Sequence, residues 1–201
     1  FQVAGPFEAV KLEDGDKITV GDYEFKCIYV LGHTPGNTCL YYEKDALMFL
    51  GDHVLFDITP NITSWLGIKD SLRDYLNSLE KIKKLEINKT FPGHRAYSED
   101  VYSRIDGIIE HHKSRLLDTL EVIKENSNKL TAYEIAGLMK WNMRGKSWLE
   151  FPDNQKWFAV GETLSHLDFL INENKIEKFR LSLFKGLWGQ GAKPIVWTKS
   201  T

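Results

Sequence analysis

Three glycine-bearing turns, each following an apolar run and each carrying histidine or aspartate, constrain this chain more than any other feature. Gly32-His33-Thr34-Pro35-Gly36 follows the run 23–31, Gly51-Asp52-His53 follows 46–50, and Pro92-Gly93-His94-Arg95 follows 88–91. A side chain just past a strand sits at the mouth of a sheet, where groups from separate strands converge. Glycine beside it lets the backbone turn tightly. Neutral imidazole and carboxylate are ligands that zinc, iron(II) and manganese accept. Singly, each turn also fits ordinary turn chemistry. Their order and spacing shift that balance.

The surrounding pattern says what could hold such a site. The front of the chain reads as β structure at 8–12, 17–20 and 23–31, then at 39–42 and 46–50 around a turn at 43–45. Tyr23, Phe25, Cys27 and Tyr29 alternate, which places them on one face of a strand. Helical spacing then takes over. Leu72, Tyr75, Leu76, Leu79, Ile82 and Leu85 recur at three and four residues and predict an amphipathic helix over 71–85. A short strand at 88–91 precedes a long helix over 99–126, with Ile105, Ile108, Ile109, Leu116, Leu120 and Ile123 on its apolar stripe. A polar break at 125–129 sets a boundary near residue 127. Beyond it, Thr131 and Glu134 read as a capping box opening a helix over 132–141. A helix over 157–172, a strand over 175–179, a glycine-rich loop at 186–191 and a strand over 195–198 complete the prediction.

With 42% hydrophobic and 27% charged residues, the 201-residue chain belongs with folded globular proteins rather than disordered tails. No apolar run approaches the roughly 20 residues of a membrane helix, and no segment reads as a signal peptide. A cytoplasmic protein with no membrane partner is expected. Cys27 and Cys39 are accordingly expected to be buried hydrophobes rather than a disulfide. Residues 1–60 carry 4 Lys+Arg against 10 Asp+Glu, leaving 22 against 18 for the remainder. The acidic front suits cation binding, and the rear is too weakly basic to argue for nucleic acid.

Gly-His-Thr-Pro-Gly, Phe-Leu-Gly-Asp and Phe-Pro-Gly-His, in that order, resemble the third, fourth and fifth metal motifs of the metallo-β-lactamase superfamily. Ile108-Ile109-Glu110-His111-His112-Lys113-Ser114-Arg115 resembles a helix pattern of the branch near glyoxalase II and the lactamase-like endoribonucleases, with His112 where that branch has Arg. Residues 130–175 resemble the winged-helix domain of the same branch. The resemblance implies an α/β (α+β) fold: the C-terminal half of an αββα sandwich over 1–127 and a small winged-helix-like α+β domain over 128–201. Half a sandwich leaves an apolar sheet face exposed, so pairing of the chain as a homodimer, or with the other half, is expected. By the same resemblance His33 completes a first metal site, Asp52 bridges two ions as the catalytic residue, and His94 binds the second. The implied cofactor is Zn2+, with Fe or Mn as alternatives. In the family pattern two ions share a water, lower its pKa and aim the hydroxide at a carbonyl or phosphorus.

The family's His-x-His-x-Asp-His run does not occur in this sequence, and no histidine precedes His33. The chain supplies three ligands where two ions take about seven in the family pattern. It is therefore expected to be the downstream part of a longer hydrolase, holding metal partially or not at all by itself and nearly inactive alone. The implied reaction of the longer protein is hydrolysis of a small-molecule ester, thioester or lactone. A phosphodiesterase or RNA endonuclease with the same site, the one route by which RNA becomes a partner, and a non-catalytic metal-free relative are the alternatives. His53 and Arg95 are secondary candidates for contacting substrate, set against packed or salt-bridged roles. His111 and Arg115 are expected to tie the long helix to the motif loops, and His166 to be a packing residue. Trp141, Trp148, Trp157, Phe151 and Phe158 are expected to form the core of the small domain, with a lid over a substrate pocket as the sharper reading. Glu162, Asp168 and Glu173 make the helix over 157–172 acidic, which argues against a DNA-recognition role.

Overall fold

The structure is a computed structural model that describes residues 9–98, 100–126, 129–143, 145–180 and 195–199. Its main sheet has five strands in sequence order: β1 (Lys17–Val20), β2 (Tyr23–Tyr29), β3 (Thr38–Tyr42), β4 (Leu47–Gly51) and β5 (Lys89–Pro92). The first four form an antiparallel meander, and β5 joins β4 in parallel after the long excursion through residues 52–88. The sequence pattern also predicts a strand over 8–12. Residues 9–12 form none, and residue 8 lies outside the described residues.

The period-two pleat sorts the strands into two faces. Ile28, Val30, Cys39, Tyr41, Met48 and Leu50 join the main core, facing two helices. The other face carries an aromatic row in which Tyr23, Phe25, Tyr42, Phe49 and Phe91 lie ring to ring at centroid spacings of 4.6–5.7 Å along Tyr23–Tyr42, Phe25–Tyr42, Phe25–Phe49 and Phe49–Phe91. Phe49 is 40% exposed there. Cys39 stands opposite Ile28 while Cys27 stands opposite Leu40, so the cysteines point to opposite faces; both are free and buried.

Helix α1 (Ser71–Lys83) is capped by Asp70, whose carboxylate accepts the Arg73 amide at 3.0 Å. Leu72, Tyr75, Leu79 and Ile82 form its buried stripe. Helix α2 (Val101–Glu125) is capped by Asp100 and buries Val101, Ile105 and Ile108 against the same core. The lower end of α2, through Ile123, joins a second core with α3 (Ala132–Leu138), α4 (Asp153–Asn172) and the hairpin β6 (Ile176–Arg180) and β7 (Ile195–Lys199). The Thr131–Glu134 capping box is present at the start of α3. That helix stops at Leu138, and Trp141 folds back to donate its indole N–H to the Ala136 carbonyl at 2.7 Å. Helix α4 begins at Asp153, ahead of the predicted 157, because its first turn is polar and gives no periodic signal. The glycine-rich stretch 186–191 lies outside the described residues. No described helix is long and apolar enough to cross a membrane.

Buried histidines make this core sensitive to acid. His112 is fully buried, and burial, followed by the charge of His166, pushes its pKa down to about 3. Glu162, His111 and Arg115 are the other charged groups facing it. An unfolded histidine takes up its proton near 6.5 and the native ring does not. Native stability is therefore complete above about 6.5 and falls as the pH drops from there toward 3. Urea unfolding across that window is expected to show the loss, and His112→Phe to lessen it, with the buried His53 and His166 carrying the rest. An unchanged acid slope in His112→Phe would assign the sensitivity elsewhere.

Candidate active site

The three motif turns meet at one end of the sheet. Gly32 has φ +119°, and a Cβ there would lie 2.4 Å from Tyr75 Cβ in α1, so only glycine lets the first turn close onto the helix. At the parallel edge the Gly93 amide donates to the Gly51 carbonyl at 2.7 Å. A Cβ on Gly93 would stand 2.7 Å from Asp52 Oδ1. The second and third motifs are thus pressed together by the absence of a side chain.

Asp52 stands between the two histidines. Its Oδ1 lies 3.2 Å from His94 Nε2, and its Oδ2 lies 3.9 Å from His33 Nε2. One carboxylate oxygen faces each imidazole nitrogen, an arrangement suited to a carboxylate shared between two cations. His33 Nδ1 lies 2.9 Å from the Asn61 carbonyl. Donation to that oxygen places the hydrogen on Nδ1 and leaves the Nε2 lone pair toward Asp52. All three side chains are partly exposed, which gives access to a metal ion or substrate.

The two secondary candidates separate. His53 is fully buried; its ring stands edge-on to Tyr75 at 5.2 Å and its carbonyl accepts the Tyr75 hydroxyl at 2.8 Å. Burial pushes its pKa down to about 3. It fixes the turn that presents Asp52 and does not line the cleft, which corrects the substrate-contact reading. Arg95 does line the cleft, with Nη1 3.8 Å from Asp57 Oδ2.

The cleft has a volume of about 800 Å³ and runs from the three motif residues to α4. Leu55, Ile58, Pro60, Trp141, Phe151 and Phe158 give it an apolar wall. Of the five aromatics expected to form the core of the small domain only Trp141 packs against it; Trp157 and Phe158 are 66% and 42% exposed, and Phe151 and Phe158 line the cleft instead. His111 and Arg115 face α4 rather than the motif loops: His111 Nε2 lies 3.7 Å and Arg115 Nε 3.8 Å from Glu162 Oε1. Burial opposes ionisation of Glu162, yet His111, His166, His112 and Arg115 outweigh it and hold the carboxyl down at about 2. His111, His112 and Glu162 bring one ligand atom each within 4.8 Å of one another, which makes them a second group able to hold a cation. The Arg115 guanidinium already beside Glu162 makes that group an ion-pair cluster first. His166 is a buried packing residue whose ring lies 3.2 Å from His112 and bonds the Glu162 carbonyl at 2.7 Å.

No sequence pattern marks Asn61. It lies 28 positions from His33 in an aperiodic loop, and only the folded chain brings its carbonyl to the ring.

Residues 3–94 match the family model described as the metallo-beta-lactamase superfamily. A beta-lactamase-like protein 2 homolog of Caenorhabditis elegans is 29% identical over 124 residues, covering 62% of this chain and 39% of that protein. Acyl-coenzyme A thioesterase MBLAC2 of Bos taurus is 30% identical over 98 residues, covering 47% of this chain and 34% of that protein. A solved beta-lactamase domain protein from Burkholderia ambifaria superposes with a TM-score of 0.80 at 24% identity, covering 98% of this chain and 54% of that one. The mixed α/β architecture is therefore that of the metallo-β-lactamase fold. The chain spans less than two fifths of the length of these two curated relatives.

Proposed function

We propose that this chain is the downstream part of a metal-dependent hydrolase acting on a small-molecule thioester, ester or lactone, with His33, Asp52 and His94 as metal ligands. The observation that carries the reading is the placement of Asp52, one oxygen toward each histidine, in a cleft with one apolar wall. Two imidazoles and a carboxylate suit zinc first, and iron or manganese next. Bound divalent ions would supply Lewis acidity and an activated water there. Around them, His33 is oriented by Asn61, Asp52 is fixed by the buried His53 turn, and the apolar wall offers a surface to an acyl group.

The electrostatics favour an acyl substrate over an RNA phosphodiester. Both arginines of the cleft face carboxylates, Arg95 on Asp57 and Arg115 on Glu162, so the described residues build no uncompensated cationic track. The thioesterase among the relatives supports the same choice. We further infer that residues 128–201 form a winged-helix-like unit, supported by the order of α3, α4 and the β6–β7 hairpin.

The test assays the whole protein on acyl-coenzyme A thioesters, a lactone and single-stranded RNA, beside elemental analysis of the 201-residue chain alone. Thioester or lactone hydrolysis by the whole protein, and fewer than two zinc ions per isolated chain, are expected. RNA cleavage without acyl hydrolysis would overturn the substrate reading. Two tightly held zinc ions in the chain alone would overturn the three-ligand assignment.

A further inference from the structure

We propose that α4 is a positioning element for the metal site, acting on His33 through the loop segment 61–65. The inference rests on the reading of His33 as a metal ligand, and it assigns to a tail helix the task of aiming that ligand.

His33 is gripped twice by this segment. Its ring Nδ1 bonds the Asn61 carbonyl at 2.9 Å, and its own carbonyl accepts the Trp65 indole N–H at 3.1 Å. Residues 61–65 belong to no strand or helix, so they need an external support. That support is α4. Asn61 Nδ2 donates to the Phe158 carbonyl at 3.2 Å and to Glu162 Oε2 at 3.4 Å. The Ser165 hydroxyl, fully buried, donates to the Ile62 carbonyl at 2.6 Å. Ser64 donates to Asp168 Oδ2 at 2.6 Å. At Gly161 a Cβ would lie 2.6 Å from Thr63 Oγ1, so the loop touches the helix backbone where the side chain is missing.

The α4 contacts recur at three- and four-residue spacing, 158, 161, 162, 165 and 168, and form one stripe along the helix. Every residue from Asn61 to Ser64 meets that stripe. A metal-ligating imidazole depends on the acceptor at its other nitrogen for tautomer and ring direction, and loss of such a partner costs about 10- to 100-fold in metal affinity. Here the acceptor is a backbone carbonyl whose position is set by α4, so displacement of the loop displaces the acceptor.

The experiment uses Gly161→Ala, which pushes on Thr63 without removing a hydrogen bond, and the double variant Gly161→Ala with Thr63→Ala, which removes the obstructing hydroxyl. Long-range proton–nitrogen spectra of the 201-residue chain report the His33 tautomer, and chelator competition on the whole protein reports Zn2+ affinity. Gly161→Ala is expected to convert a single Nδ1–H tautomer of His33 into a mixture and to weaken Zn2+ binding about 10- to 100-fold. The double variant is expected to restore both. Ser165→Ala, a milder change, is expected to move the same signals in the same direction if Gly161→Ala does not fold. An unchanged His33 tautomer in Gly161→Ala and Ser165→Ala overturns the proposal. His33→Ala separates the premise from the inference: unchanged Zn2+ affinity in that variant removes His33 as a ligand, whereas a loss there, with no effect of the α4 variants, sinks the positioning role alone.

Discussion

Replacing Gly32 with alanine is expected to cost about 2 to 6 kcal/mol of folding stability, read as a lower urea midpoint. Two separate costs add. The backbone at Gly32 has φ +119°, a region an L side chain adopts only under strain of about 1 to 3 kcal/mol. The new Cβ would also lie 2.4 Å from Tyr75 Cβ and 2.5 Å from its Cα, and overpacking in a tight core costs a further 1 to 3 kcal/mol or so. Tyr75 cannot retreat, because it is fully buried and its hydroxyl holds the His53 carbonyl. Against a typical domain stability of about 5 to 15 kcal/mol this removes a large share. A loss below about 1 kcal/mol would mean that the first motif turn shifts freely against α1, contrary to the packing described.

Asp52→Ala is expected to abolish metal binding by the chain and to lower hydrolysis by the whole protein about a thousandfold. A bound metal contributes several kcal/mol of charge stabilisation in the transition state, and about 4 kcal/mol corresponds to three decades in rate. Stability should change little, because the side chain is 40% exposed and supports no core contact. That separation is what distinguishes a ligand from a structural carboxylate. Unaltered metal content together with unaltered thioester hydrolysis would remove Asp52 from the reaction.

Both substitutions fall on residues that the amino-acid sequence alone marks out. Gly32, Asp52 and Gly93 announce themselves because tight turns and metal ligands draw on few residue types. The helices α1 and α2 are legible for a different reason: one buried stripe imposes a 3.6-residue period, as Leu72, Tyr75, Leu79 and Ile82 show. The pleat of β2 is legible too, yet alternation alone does not say which face turns inward. Tyr23 and Phe25 lie on the outward aromatic row, whereas Ile28 and Val30 reach the main core. His53 shows the opposite failure. Its place beside Asp52 suggests a role in the cleft, but a turn residue can point either way, and here it points into the core. Asn61, Ser64, Ser165 and Gly161 leave no trace, since hydrogen bonds and close contacts between segments about a hundred residues apart impose no local pattern.

The strap between α4 and the loop also bears on how such a chain can be inherited and recombined. A tail that merely hung beside the sheet could be exchanged for another of similar size. Here Gly161 must meet Thr63 and Ser165 must meet Ile62. One residue inserted within the stripe would turn everything beyond it by about 100° and carry the donors off their acceptors. The tail therefore behaves less as a detachable cassette than as a keyed part, whose changes have to be accepted in step with those of a short loop far away in the sequence.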